Sequence, residues 1–395
     1  MSMIKYFDTP HIVRFGMTND DPATSETQFW RNGVHFLIQV DHADVRGTDF
    51  EQKWIPLLNP EPMSARLERW GELCDLEISQ SLALLQELAP NRPHWNTLYD
   101  YLHVDSYTLR LSGSPGQDVS PHVVQGPTST CAYEMETVAW ETFTFPGDLP
   151  VYDSRVIISL DHEQNLKSPP QKTRLPDGKV AFFLPCQVLV RQLVGSACID
   201  ENESHQSIAS YLLIHSLQIP HDSSRASVPK VLGIVSDSGH SATNTQAEGE
   251  KQVAGILLEW IDGFYLLNAG SKENRHVAMG SETNQARWRE QIMGIVRELH
   301  RRGVSALGLE ISPFSVMIDR NDGHAWLTGF VDCKVSEDHN VSEPESESEA
   351  KQVRDVFDQW LRAEVEHWTS DSAEPARIDV LKRWWAIAEG SELTA

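Results

Sequence analysis

Residues 299–330 read LHRRGVSALGLEISPFSVMIDRNDGHAWLTGF, and the order of elements in this stretch decides how the second half of the chain is built. Leu299 and His300 close an apolar stripe that begins at Trp288 and recurs through Ile292 and Ile295, so the spacing predicts a helix over 285–302, with Gly303 as its C-terminal cap. After a loop, Val316–Asp319 and Ala325–Thr328 flank the turn formers Asn321, Asp322 and Gly323, which predicts a short hairpin. The stretch therefore reads as helix, loop and hairpin.

Working outward, Val231–Val235 and Val253–Trp260 read as a strand pair, and Ile208, Tyr211, Leu212 and His215 share one face of a helix over 204–217. Upstream, 155–160 and 179–190 read as strands around a turn at Leu175-Pro176-Asp177-Gly178, which gives a small antiparallel sheet. A first boundary falls at Pro146-Gly147-Asp148-Leu149-Pro150. Before it, 35–40 and 107–111 read as strands and 64–88 as an amphipathic helix ended by Pro90. Downstream, 336–350 is acidic and reads as a solvated loop, followed by apolar stripes at Val353, Val356, Phe357, Trp360 and Leu361, and at Ile378, Leu381, Trp384 and Trp385. The expected domains are 1–150, a mixed α/β extension whose Asp41, His42, Asp44, Arg46 and Asp49 read as a salt-bridged turn in preference to a polar site; 151–268; and 269–395.

Composition narrows the function classes. The 395 residues carry 33 Lys plus Arg against 57 Asp plus Glu, and a net charge of −24 repels phosphate backbones and anionic lipid alike, which argues against nucleic-acid and membrane partners. The five cysteines are scattered, with no Cys-x-x-Cys pair, and read as reduced core thiols. No run of about 18 apolar residues and no secretory leader pattern is present, so a cytoplasmic protein is expected. The 16 histidines show no helical metal-ligand spacing, and no Gly-x-Ser-x-Gly elbow occurs, so no metal is expected.

The whole order resembles the protein-kinase fold. Leu299-His300-x-x-Gly303-Val304 looks like the end of the helix before a kinase catalytic loop, Pro313–Asp319 like the exit strand, and Ala325–Phe330 like the strand leading into the metal-binding motif. Leu175–Gly178, Phe182–Cys186 and Gly255–Glu259 resemble a group of kinase-like proteins of filamentous fungi, and the likeness covers about 151–365. The resemblance implies an α+β, two-lobed fold: a small antiparallel sheet lobe and hinge at 151–268, and a short helical lobe from 269.

Phosphoryl transfer depends on charges placed around a nucleotide, and against the family pattern this chain departs at each of them. The strand lysine is replaced by Leu184 and its glutamate partner by Ser207; the base aligns with Glu310, the metal-binding Asn with Ser315, and the metal-motif Asp with Gly329. No cofactor is expected, because little is left to hold Mg-ATP. The resemblance thus implies a pseudokinase with a ligand cleft lined by Leu184, Glu259, Trp260, Ile261, Ser315, Met317, Thr328, Gly329 and Asp332. Glu310 is either a solvated carboxylate or a general acid–base raised by its apolar neighbours. Asp332 reads as a displaced metal ligand or a loop carboxylate. Trp260 either fills the emptied cleft or leaves the hinge backbone to a flat heterocycle, and His300 reads as a carbonyl-capping residue. The expected function is binding of a partner protein or small molecule. The alternative is a kinase fold reused as a non-phosphotransfer enzyme of fungal secondary metabolism, and weak residual kinase activity ranks last.

Overall fold

The computed structural model describes residues 10–18, 22–58, 66–91, 95–132, 135–161, 169–187, 189–193, 196–200, 203–218, 228–237, 251–271, 273–274, 282–305, 311–331, 333–335, 341 and 343–361. The chain is mixed α+β and divides into two compact units. The first comprises 1–135, 154–171 and 237–250, and the second 136–153, 172–236 and 251–395.

In the first unit, strands β1 (His11–Thr18), β2 (Thr24–Arg31), β3 (Val34–Asp41), β4 (Val104–Ser112) and β5 (Ser120–Thr130) form one sheet in sequence order. The β2–β3 hairpin closes on Asn32-Gly33, with φ of 49° and 71°, the left-handed pair that a two-residue turn between twisted strands needs. β3 and β4 are parallel, so the chain must cross over between them. It does so through helices α1 (His42–Val45), α2 (Asp49–Leu58), α3 (Arg66–Leu88) and α4 (Leu98–Leu102). The stretch 41–49, expected as a salt-bridged turn, holds helix α1 and the turn into α2: the Asp41 carboxylate caps α1 by accepting the Ala43 N–H at 2.8 Å, and the ion pairs go outside the stretch, Asp44 to Arg110 at 3.7 Å and His42 to Glu51. Period-two residues Phe36, Ile38 and Val40 meet Leu73, Ile78 and Leu85 of α3 in one core. Inside that core lies Glu77, fully buried, which accepts from Ser25 Oγ at 2.5 Å and from Thr27 Oγ1 at 2.6 Å. Two-residue β8 (Ile158–Ser159) meets the start of α4 through a Thr97–Ile158 bridge.

In the second unit, β7 (Val151–Asp153), β13 (Val231–Asp237, whose last residue belongs to the first unit), β14 (Gln252–Glu259), β10 (Val180–Pro185) and β9 (Lys172–Arg174) lie side by side, and β6 (Val138–Ala139) pairs with β14. The β9–β10–β14 part is antiparallel and β7 runs parallel to β13; the strand expected over 179–190 ends at Pro185, and its partner before the turn is 172–174 rather than 155–160. Strands β11 (Leu189–Leu193) and β12 (Ser196–Asp200) form a separate hairpin that leads into α5 (Glu203–Ser216), which packs on β10. Beyond β14, β15 (Gly263–Tyr265), β17 (Val316–Asp319) and β18 (Ala325–Leu327) form a three-stranded sheet. Helix α6 (Glu282–Arg301) packs on β18, and β16 (Val304–Ser305) pairs with β19 (Lys334–Val335). Gly303, at φ 73°, donates its N–H to the His300 carbonyl and caps α6 as expected.

Further sequence expectations need correction. The strand expected over 155–160 is a 3-10 turn, Ser154–Val156, followed by the two-residue β8, because Ser154 is tied to Asp237 and the Ile157 carbonyl and Ser159 N–H pair with Leu98 and Asn96 rather than with a long ladder. The acidic run expected as a loop becomes, from Glu343, helix α7 (Glu343–Arg354). Its glutamates lie toward the N-terminus and Lys351 and Arg354 in the last turn, the distribution a helix dipole favours. Nor does that run stay solvated: Glu349 is fully buried and receives His300 Nε2 at 2.8 Å and Ser305 Oγ at 3.0 Å. His300, read as a carbonyl cap, is instead the bridge between α6 and α7, with Ser346 Oγ 3.0 Å from its Nδ1. The buried stripe Val353, Val356, Phe357 and Leu361 is present, whereas the stripe at 378–385 lies outside the described residues.

Candidate functional site

The expected cleft residues are best followed along the β10–β14 ladder, where Leu184 faces Ile256, Phe182 faces Leu258 and Ala181 faces Glu259. Opposed residues of an antiparallel pair share a face, so Phe182, Leu184, Ile256 and Leu258 form one apolar patch. Phe182 also faces Lys172 across β9, which brings the lysine to the same side. Gly255 makes the close approach of these strands possible, since a Cβ there would lie 2.2 Å from the Leu184 carbonyl oxygen. The patch merges with Val316, Ile318, Leu327 and Phe330 in the second unit's core, so Leu184 is packing rather than an electrostatic handle.

Beyond the strand end, the Glu259 N–H donates to the Lys230 carbonyl at 2.8 Å. Trp260 is half-buried under the Lys172 ammonium, 4.5 Å from the ring centroid, which is cation–π distance. Ile261 is buried, and the Asp262 carbonyl accepts the Arg320 N–H at 2.9 Å, tying this linker to the turn after β17.

On the other side of the patch, Ser315 is buried and committed to its own turn. Its hydroxyl donates to the Ser312 carbonyl and accepts the Ser312 N–H, both at 3.0 Å, while its carbonyl receives the Thr328 N–H at 2.8 Å and the Thr328 hydroxyl at 3.2 Å. Met317 pairs with Tyr265 on one side and Trp326 on the other, as a half-buried middle-strand residue. Gly329 turns the chain at φ 72° and donates its N–H to Tyr211 Oη on α5 at 3.0 Å. The ring of Phe330 stands edge-on to Tyr211, with centroids 5.5 Å apart. Burial pushes the Tyr211 hydroxyl well above its ordinary range, and the hydrogen bond from Gly329 offsets only part of that. Tyr211 therefore stays a neutral phenol and offers no anionic oxygen to a metal.

The structure thus joins Ser315, Thr328 and Gly329 in one hydrogen-bonded stretch and connects it to α5. Leu184 reaches the same core from the sheet, and Trp260 lies at the far end of the ladder. Glu310 and Asp332 fall outside the described residues. In the sequence Tyr211 is legible only as one apolar-face residue of a helix; nothing in its spacing points to Gly329, which lies 118 residues away.

Chemically, the described part of the site is an apolar patch with satisfied hydroxyls, and the charged side chains beside it are Lys172, over Trp260, and Glu259 at the end of β14. Among the described residues no three His, Cys, Asp or Glu side chains are grouped so as to hold a metal ion, and no helix is long and apolar enough to cross a membrane. Cys74 and Cys186 are buried thiols. No protein-family model matches the chain, and no curated protein matches it.

Proposed function

We propose that the second unit is a protein-kinase-like fold without phosphotransfer that works by binding, taking a neutral, planar small molecule or the apolar side chain of a partner protein against the Leu184–Trp260 face. The observation that carries this reading is the Tyr211–Gly329 hydrogen bond. At the position where the resemblance expects a metal-binding carboxylate there is a glycine, which has no side chain to ligate, and its turn is held by a buried, neutral phenol. Leu184 in place of a lysine and Ser315 closed on Ser312 support it from two further directions. An apolar cleft with few fixed charges favours an uncharged ligand over a nucleotide triphosphate. A net charge of −24 further disfavours nucleic acid and anionic membranes, and buried thiols suit a cytoplasmic location.

Thermal unfolding with and without Mg-ATP tests the first half of the proposal: no stabilisation and no γ-phosphate transfer are expected, and saturable stabilisation by Mg-ATP overturns it. Titration with the neutral planar dye Nile red tests the second half. Saturable binding that weakens at least tenfold in Leu184→Asp is expected, with circular dichroism checking the fold; binding unaffected by that change removes the site.

A further inference from the structure

The first unit holds a chain of side chains that the proposed binding role does not use. His103 follows α4, whose start is fixed by Asp100: its Oδ2 accepts the N–H groups of Asn96 and Thr97 at 2.8 and 2.7 Å. The imidazole is stacked on Tyr99, with centroids 4.1 Å apart, and the Arg155 guanidinium lies 4.6 Å from the Tyr99 centroid. On one side, His103 Nε2 lies 2.8 Å from Asp237 Oδ2; on the other, Nδ1 lies 3.2 Å from the hydroxyl of Ser129. A carboxylate only accepts, so Nε2 carries the proton and Nδ1 presents its lone pair to the serine.

Asp237 is itself held. Its side chain is 4% exposed, and Oδ1 accepts from Ser154 Oγ at 2.8 Å. Burial pushes its carboxyl up, but the hydrogen bonds from His103 and Ser154, the charge of Arg155 and that of His103 when it is protonated outweigh burial and keep it below the usual carboxylate range. It is an anion in place to orient an imidazole and to stabilise it when charged. Ser129, by contrast, is exposed, near the end of edge strand β5 and opposite Asp105 in the ladder. Among the described residues β5 is the outermost strand of its sheet, and an outermost strand presents backbone N–H groups of the kind that stabilise a developing oxyanion. A second serine–histidine–carboxylate chain, Ser346–His300–Glu349, has its serine half-buried.

We propose that Ser129, His103 and Asp237 form an acyl-transfer site, with Ser129 as nucleophile, His103 as general base and Asp237 as positioning residue, acting on carboxylic esters with good leaving groups. Ser129 Oγ forms a bond to the acyl carbon while its proton passes to His103 Nδ1. Collapse of the tetrahedral intermediate breaks the bond to the leaving alkoxide, which takes that proton and departs as the alcohol. Water, deprotonated by the same nitrogen, then cleaves the acyl-serine to the carboxylic acid and restores the hydroxyl.

The full chain is treated with a fluorophosphonate probe and, separately, with p-nitrophenyl acetate. One label per chain, mapped to Ser129 by peptide mass, is expected, together with loss of labelling and of ester turnover in Ser129→Ala. His103→Gln is expected to slow both at least 100-fold. Asp237→Asn is expected to slow labelling and move the acid limb of its pH profile lower, which a purely structural loss does not do. Because Asp237 variants risk misfolding, Ser129→Cys supplies a second readout: its alkylation by iodoacetamide near neutral pH should outpace that of a free cysteine and lose the advantage when His103→Gln, shown by circular dichroism to be folded, is added. Absence of labelling above the Ser129→Ala background, labelling at another residue, or an alkylation rate in Ser129→Cys that is indifferent to His103 overturns the proposal.

Discussion

The Tyr211 hydroxyl accepts the backbone N–H of Gly329 at 3.0 Å, joining helix α5 to the turn after β18. The same tyrosine's ring packs on buried Phe330, so one side chain supplies both the polar and the apolar link between the two elements.

Removing only the polar half tests its weight. Tyr211→Phe keeps the ring contact and leaves the Gly329 N–H without its acceptor, so a loss of about 1 kcal/mol is expected in urea unfolding. Amide hydrogen exchange at Gly329 and Phe330 should accelerate at the same time. Unchanged exchange would mean that the turn is held by other contacts.

Glu77 makes the first unit's stability depend on pH. Burial pushes its carboxyl up to about 7, against the hydrogen bonds from Ser25, Thr27 and Trp54, which work the other way. With the folded value above the unfolded one of about 4.5, the native state holds the extra proton between the two. That contribution is fully present below pH 4.5, falls as pH rises, and is lost above 7, an effect on the order of 3 kcal/mol. The measurement is the difference in unfolding free energy between the native chain and Glu77→Gln across pH 5 to 8, where Glu77→Gln should gain progressively. A flat difference contradicts the shifted carboxyl.

His300 and Glu349 anchor α7 to α6 at 2.8 Å, with the carboxylate fully buried. His300→Ala leaves that carboxylate with Ser305 and without its imidazole, and about 3 kcal/mol of destabilisation is expected. Adding Glu349→Ala should cost less than the two single changes summed, a coupling above about 1 kcal/mol in a double-mutant cycle. Additive behaviour would show that the two residues do not act as a pair.

Gly255 tests the sheet face that carries the proposed cleft. A Cβ there would meet the Leu184 carbonyl oxygen at 2.2 Å and the Phe183 ring at 2.8 Å, and neither can move without opening the β10–β14 ladder. Gly255→Ala should therefore destabilise by about 3 kcal/mol or more in chemical unfolding. It should also abolish Nile red binding if the dye sits on this face.

Much of the second unit is legible residue by residue. The stripe Trp288, Ile292, Ile295 and Leu299 specifies α6, Gly303 its end, and Asn321–Gly323 the β17–β18 hairpin, because each signal lies within a few neighbouring residues. In the first unit, Asn32-Gly33 is a hairpin signal overshadowed by the stronger strand at 35–40. The acidic run misleads for a physical reason: glutamates at alternate positions from 343 to 349 read as solvated, and only packing against His300 and Ser305 shows that Glu349 is buried.

By itself, the sequence determined the acidic balance of the chain and those elements whose signals are local, among them α3, α5, α6 and the β17–β18 hairpin. Tertiary structure alone decided which distant groups meet: Tyr211 with Gly329, Ser25 and Thr27 with Glu77, and His103 with Asp237 across 134 residues. Local periodicity is written in adjacent side chains. A hydrogen bond between residues far apart in sequence depends on strand order, register and burial, which the chain acquires only when its two cores close.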